Sequence, residues 1–356
     1  METSPISISN HSTFPVWHCP THHHPLAVDN DSVRCPEGES YFEKGGILRF
    51  VPESSYADAF GAQWNRYRLT QLDSYTGTTI SRDRARRALG EELWSDLSGK
   101  QVLECGCGAG RFTEVLLQQG ALVTSIDLSS AVDANQRNFP QNSTHRVAQA
   151  NILQLPFLPQ QFDVVFCLGV VWNTPCPEET IAALYAQVKP GGVLVFDQFR
   201  PTLSQFTKTS TLLRLILRRL PPRMGIMVTE AITRCLLPLH KLTRNFRLGQ
   251  MLLSRISPVL SYYHAFPRLS DELLRQWAEL DTHNSLTAWY YHCRTPSQIR
   301  RSLKQLGLCE ISLQTTGVNV EARGRRPVTP AKTMNPGSPR GMTASDGRFD
   351  TDGRSV

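Results

Sequence analysis

Several things are missing from this chain, and each absence narrows what it can be. No run of 18 apolar residues occurs in its 356 residues, so no membrane-spanning helix is expected. The N-terminus lacks a basic segment followed by an apolar stretch, so no secretory signal is expected either. Nine cysteines occur without the spacing of a disulfide framework. Cys105, Cys107 and Cys167 fall in or beside apolar runs, where a small buried thiol is the ordinary meaning. The expected setting is therefore reducing and cytoplasmic. The formal net charge of +7 is not evenly spread. Arg214, Arg218, Arg219 and Arg223 crowd one segment, and Arg323, Arg325, Arg326, Lys332 and Arg340 crowd the end. No specific nucleic-acid partner is expected from such a distribution. Two nucleotide-binding signatures are also absent. No Gly-Lys-Ser/Thr follows the one glycine-rich turn, which excludes a P-loop. A dinucleotide fingerprint needs glycine at its sixth position, and Arg111 or Thr113 stands there in the two possible registers.

What is present centres on residues 102–110, Val-Leu-Glu-Cys-Gly-Cys-Gly-Ala-Gly. Two apolar residues end a strand, and Glu104 sits at its C-terminal end. Gly106, Gly108 and Gly110 make a tight turn into a helix, where backbone N–H groups can approach a nucleotide-like ligand. About 20 residues on, the apolar run 121–128 ends in Asp127, placed to accept two hydrogen bonds from ribose hydroxyls. A helix N-cap is the plainer alternative for that carboxylate. Residues 162–169, Phe-Asp-Val-Val-Phe-Cys-Leu-Gly, read as a strand covered on both faces. Lys189-Pro190-Gly191-Gly192 reads as a turn into an apolar strand that starts at Val193.

The E-x-G-x-G-x-G run, the acid of the next strand and the Lys-Pro-Gly-Gly turn together resemble the class I S-adenosylmethionine (SAM) methyltransferases, in their small-molecule, type 11-like branch. That resemblance implies an α/β, Rossmann-like sheet of seven strands with a reversed last strand and helices on both faces. It also implies the cofactor contacts. Glu104 orients the methionine end, and Gly106, Gly108 and Gly110 line the turn. Asp127, with Leu128 after it, takes the ribose. Asn151-Ile152 stands where the family usually has an acid and a hydrophobe at the adenine. An amide oxygen at Asn151 can still accept from the adenine amine. Leu168 follows strand four. Phe60-Gly61-Ala62-Gln63-Trp64 and Gln71-Leu72-Asp73-Ser74 resemble a pre-core segment lying over the cofactor mouth, which brings Gln71 to the cofactor. Phe60, Trp64 and Tyr67 share one helix face, so plain docking of that helix is an equal reading.

The expected organisation is a leader (1–50), lid helices (51–95), the SAM-binding core (96–200), a helical cap insertion (201–290), the end of the core sheet (291–326) and a disordered tail (327–356). The leader holds Cys19-Pro-Thr-His22 and Cys35-Pro36 and resembles a zinc ribbon. Gly38 and Glu39 stand where the partner of Cys35 belongs. A structural zinc wants four N/S ligands, so a degenerate ribbon without metal is expected. The cap mixes leucines with arginines before Pro221-Pro222 ends its first helix. It suits enclosure of an apolar acceptor, weak membrane-surface contact through 211–242, or ordinary packing. His283 and His292 are candidate general bases, against a structural role for each. The site after strand four reads Leu168-Gly-Val-Val-Trp-Asn173, without the Asp/Asn-Pro-Pro-aromatic of base-amine methylation. Cys176 is read as a loop residue rather than a nucleophile. The expected function is methyl transfer to a small molecule. An RNA or protein methyltransferase, and a non-catalytic SAM-binding subunit, are the alternatives.

Overall fold

The computed structural model describes residues 14–29, 32–52, 55–202 and 210–328. Four short strands come first: β1 (Ala27–Asp29), β2 (Ser32–Arg34), β3 (Ser40–Lys44) and β4 (Ile47–Arg49). Helices α1 (Asp58–Arg66), α2 (Asp73–Thr76), α3 (Ile80–Leu89) and α4 (Glu91–Ser95) follow. The core then alternates through β5 (Gln101–Cys105), α5 (Arg111–Gln118), β6 (Leu122–Asp127), α6 (Ala131–Asn138) and β7 (His145–Gln149). It continues with β8 (Phe162–Cys167), α7 (Pro177–Ala186) and β9 (Val188–Phe199). The insertion holds α8 (Ser210–Leu217), α9 (Pro222–Leu242), α10 (Arg247–Ile256) and α11 (Asp271–Thr287). The chain returns to the sheet through α12 (Pro296–Gln305), β10 (Cys309–Thr316) and β11 (Asn319–Arg325).

The core strands run in the order β7-β6-β5-β8-β9-β11-β10. All are parallel except β11, which is antiparallel to both β9 and β10. This is the expected seven-stranded sheet with a reversed last strand. Val102, Leu103, Val164, Val165, Phe166, Leu194, Val195 and Phe196 are fully buried, because helices cover both faces. Thr295 caps α12 through a reciprocal bond with Gln298, and Pro296 fits its first turn.

Among the described residues the sheet nevertheless has eleven strands rather than seven. The leader forms an antiparallel meander, and β4 pairs in parallel with β7 at Leu48↔Ala148. An uncovered β7 would present a row of unpaired backbone groups. The leader removes that edge and buries Trp17, which stacks on Phe157 at 5.0 Å and lies under Arg146 at 4.1 Å. A second departure concerns Lys189–Gly192. These residues lie inside β9 rather than in a turn before it, and the β8–β9 register shifts between Phe162 and Val164. Gly191, with φ 79°, donates its N–H to Arg326 O, so the segment is a bulged strand.

Pro221-Pro222 separates α8 from α9, as the sequence indicates. The insertion packs on α3 as well as on itself, since Leu274 and Trp277 of α11 meet Ile80 of α3. It leaves Leu212, Ile216, Met227 and Leu242 exposed. Among the described residues no helix is long and apolar enough to cross a membrane. Arg323 and Arg325 lie in β11, and the expected disordered tail lies, from residue 329, outside the described residues.

Candidate cofactor site

Parallel strands of an open sheet leave their C-terminal ends at one rim, and ligands of such folds bind there. β5 and β6 are neighbours in that sheet, so Glu104, the glycine turn and Asp127 converge. Gly108 N–H donates to Asp127 Oδ2 at 3.0 Å. Ser129 donates to Oδ1 through both its N–H (2.9 Å) and its hydroxyl (2.6 Å). Asp127 is thus fixed by the turn and by its own loop, with acceptor capacity left on Oδ2. Burial pushes its carboxyl above the ordinary range, against the bonds from Ser129 and Gly108. Gly106 has φ 76°, and a Cβ there would lie 2.2 Å from Val170 Cγ2. No other residue fits that position without moving the loop after β8.

Glu104 is fully buried beneath the turn. Its Oε2 accepts from the hydroxyls of Thr113 (2.5 Å) and Ser125 (2.9 Å), while Oε1 has no partner among the described residues. Ser125 in turn meets His145 Nε2 at 3.2 Å. Burial lifts Glu104 to about 7, although the two hydroxyls oppose that rise. An orphaned carboxylate oxygen at the strand end suits the ammonium of an amino-acid ligand.

Leu128 continues from Asp127, and its carbonyl accepts from Gln149 Nε2 at 2.9 Å. Asn151 and Ile152 follow β7; Asn151 Oδ1 accepts from Leu153 N–H at 3.0 Å. Leu168 is buried just beyond β8. Gln71 lies at the head of α5, where its Oε1 accepts from Arg111 Nη1 at 2.9 Å. Gln71 Nε2 donates weakly to Asp281 Oδ1 at 3.4 Å. Helix α1 closes over the rim. Trp64 lies against Gly108, and Asn65 Nδ2 donates to Ser130 O at 2.8 Å. This is the plain docking of α1, beside the glycine turn and the loop before α6.

The two histidines part company. His283 is buried between α9 and α11, where its Nδ1 meets Thr229 Oγ1 at 2.9 Å. Burial pushes its ring down to about 4, so it is uncharged at neutral pH. His292 instead stands at the strand ends. Its N–H donates to Trp172 O (2.9 Å), and its carbonyl accepts from Gln198 Nε2 (2.7 Å). Around it gather Tyr290, stacked on its ring, and Trp172, stacked on Phe199 at 3.9 Å. Tyr56 meets Tyr290 edge-on at 5.3 Å. With its side-chain amide turned so that nitrogen donates to Tyr290 O and oxygen accepts from Trp172 Nε1, Asn173 bridges the two at 3.0 Å each.

Two groups escaped sequence reasoning. Arg111, the first residue of α5, donates to Gln71 and to Ser81 Oγ (2.9 Å) and lies over the rings of Phe112 and Trp277. Burial, and the nearby Arg84 charge, push it down to about 10. Arg84 of α3 pairs with Asp197 of β9, whose Oδ1 accepts from Gly169 N–H at 2.7 Å. An acid ending the apolar run Val193–Phe196 was the available signal, because a carboxylate buried there needs a partner. Cys176 precedes α7 at its N-cap position, a loop placement.

Residues 103–196 match the family described as a methyltransferase domain. Ubiquinone biosynthesis O-methyltransferase of Pseudomonas fluorescens (strain Pf0-1) is 39% identical over 106 residues, covering 29% of this chain and 45% of that protein. Its counterpart in Pseudomonas entomophila (strain L48) is 39% identical over 105 residues, 28% and 45% respectively. The chain thus spans less than half the length of the curated relatives it matches. Among solved structures, magnesium protoporphyrin IX methyltransferase from Synechocystis PCC 6803 with bound SAH aligns with TM-score 0.42 and 17% identity, over 76% of this chain and 96% of that one. Human N-acetylserotonin methyltransferase in complex with SAM gives 0.41 and 15%, over 78% and 60%. The matched stretch runs from within β5 into β9 and takes in the C-terminal ends of β5, β6, β7 and β8: this chain carries, in residues 103–196, a methyltransferase domain.

Proposed function

We propose that the protein is a SAM-dependent methyltransferase acting on a small-molecule acceptor. The observation that carries this reading is the junction of Glu104, the glycine turn and Asp127 at two adjacent strand ends. Glu104 and the turn hold the methionine end, Asp127 the ribose, and Asn151 with Ile152 the adenine; Leu128, Leu168 and Gln71 border them. SAM, when bound, supplies a methyl group on a positively charged sulfur. The protein's part is then positioning and exclusion of water. Trp172, Phe199, Tyr290 and Tyr56 offer an aromatic wall beside the rim, which suits a planar or partly apolar acceptor. The insertion 201–290 lies outside the matched stretch, so the relatives inform the cofactor half and not the acceptor. The free thiols suit a reducing, cytoplasmic setting.

Calorimetric titration of SAM and S-adenosylhomocysteine into the full chain tests the cofactor. Glu104 gives that titration a signature. Without cofactor its carboxyl stands at about 7, so it is partly protonated at neutral pH. A ligand ammonium near Oε1 favours the carboxylate, so binding expels a proton and strengthens as pH rises through 7. In buffers of different ionisation enthalpy at pH 7, the release is expected to be roughly half a proton, vanishing by about pH 9. Glu104→Gln abolishes the buffer dependence. A buffer-independent enthalpy in wild type would show that no ammonium reaches Glu104.

His292, rather than His283, is the general base of this proposal, because only His292 stands at the strand ends. For an acceptor that must lose a proton, His292→Ala is expected to lower kcat by about 10²–10⁴-fold with KM little changed. A rise in KM alone, with kcat unchanged, would make His292 part of the acceptor wall.

A further inference from the structure

The leader places Trp17, Val33, Leu48 and Phe50 in the main core, and two turns stand beside them. In the first, Cys19-Pro20-Thr21-His22-His23, the N–H of His22 points at Cys19 Sγ (3.4 Å) and His23 takes φ 58°. In the second, Cys35-Pro36-Glu37-Gly38-Glu39, Gly38 takes φ 105° and Cys35 N–H bonds Glu39 O at 2.8 Å. The His18↔Pro25 bridge and the pairing of β1 with β2 bring the turns face to face. Cys19 Sγ, His22 Nδ1, Cys35 Sγ and a Glu39 carboxylate oxygen all lie within 4.8 Å of one another. We propose that these four side chains bind one structural zinc ion.

The separations support coordination. Zinc bonds of ~2.3 Å to sulfur and ~2.0 Å to nitrogen or oxygen give a tetrahedron with S···N and S···O edges of ~3.5 Å. Cys19 Sγ to His22 Nδ1 is 3.8 Å, Cys35 Sγ to His22 Nδ1 is 3.6 Å, and Cys19 Sγ to Glu39 Oε2 is 3.6 Å. One edge is short: His22 Nδ1 and Glu39 Oε2 stand 2.5 Å apart, as an ion pair, and must open to admit the metal. Cys19 is fully buried and Cys35 nearly so, while His22 and Glu39 keep access to solvent, which gives the ion an entry side. Tyr41 Oη lies 3.1 Å from Cys19 Sγ and, with His22 N–H, supplies the outer hydrogen bonds that a thiolate ligand uses. Two thiolates, an imidazole and a carboxylate suit zinc rather than the hard oxygen-seeking cations. On binding, the two thiol protons pass to solvent.

The expectation of a metal-free ribbon rested on a missing fourth N/S ligand. Glu39 stands in that place because the left-handed Gly38 turns the chain one residue later than a two-spacer turn would.

The test uses the full chain, dialysed without chelator and analysed by inductively coupled plasma mass spectrometry. About one zinc per chain is expected in wild type, falling to under a tenth in Cys19→Ser/Cys35→Ser. Cobalt substitution is expected to give the visible bands of a tetrahedral thiolate site. Should the double variant fail to fold, Glu39→Ala serves instead: competition with a chromogenic chelator is expected to show zinc held roughly tenfold or more weakly. Glu39→Cys is expected to bind at least as tightly as wild type. Three results overturn the proposal: no zinc after reduction and refilling, a metal content indifferent to the double variant, or a native Cys19–Cys35 disulfide.

Discussion

Asp127→Ala is expected to weaken SAM binding about a hundredfold or more. In the proposed site Asp127 takes two charge-assisted hydrogen bonds from ribose hydroxyls, at about 1.5–3 kcal/mol each, and even the lower figure for both comes to about 3 kcal/mol, or two decades in Kd. The alanine also releases Gly108 N–H and both bonds from Ser129, so the glycine turn loses its anchor. Asp127→Asn separates these contributions. Its amide oxygen can still accept from Gly108, but the charge is gone, and an intermediate loss of roughly tenfold is expected. Calorimetry reads the affinities and thermal denaturation the stability. Affinity within threefold of wild type in a well-folded Asp127→Ala protein would place the ribose elsewhere and remove the ground for the cofactor assignment.

Arg84→Ala is expected to cost about 3–5 kcal/mol of stability, the largest effect outside the rim, because it strands a buried charge. Asp197 is wholly buried, with the carboxylate of Glu321 as a further unfavourable neighbour. Burial already lifts its carboxyl, and the Arg84 guanidinium is the first group opposing that rise. In the variant Asp197 titrates higher still, and the sign of the pH dependence follows. A carboxyl whose folded value is raised binds more protons folded than unfolded, so stability is lost as pH rises from about 4. The deficit is therefore expected to be small in acid and full at pH 8. Arg84→Met/Asp197→Leu, which removes both charges, recovers most of the loss. Chemical denaturation at pH 5 and pH 8 checks this, and a deficit under 1 kcal/mol at pH 8 would show the pair to be solvated. The loop after β8 should suffer too, since Asp197 also holds Gly169 N–H.

The local chain determined the cofactor half of this protein. Glycines at 106, 108 and 110 force the turn, and Asp127 ends a strand whose apolar run demands burial. Those requirements are met within a few residues of sequence, so they are legible there. Thr295, Pro296 and Gly307 likewise fix the limits of α12, because helix ends are set by the groups next to them. The Lys189–Gly192 bulge marks the limit of such reading. Pro and Gly signal a departure from regular strand, but only the pairing partner decides whether the chain turns or bulges. The tertiary structure alone decided the rest. Arg84 and Arg111 look like solvated helix residues until α3 and α5 are laid against the sheet, where Asp197 and Gln71 wait for them. His283 and His292 are indistinguishable as sequence; α9 buries the first, and the β8 and β9 ends receive the second. Glu39 becomes a neighbour of Cys19 only when β1 pairs with β2 and His18 with Pro25. In each case the deciding term is burial beside a partner distant in the chain, which local pattern does not encode.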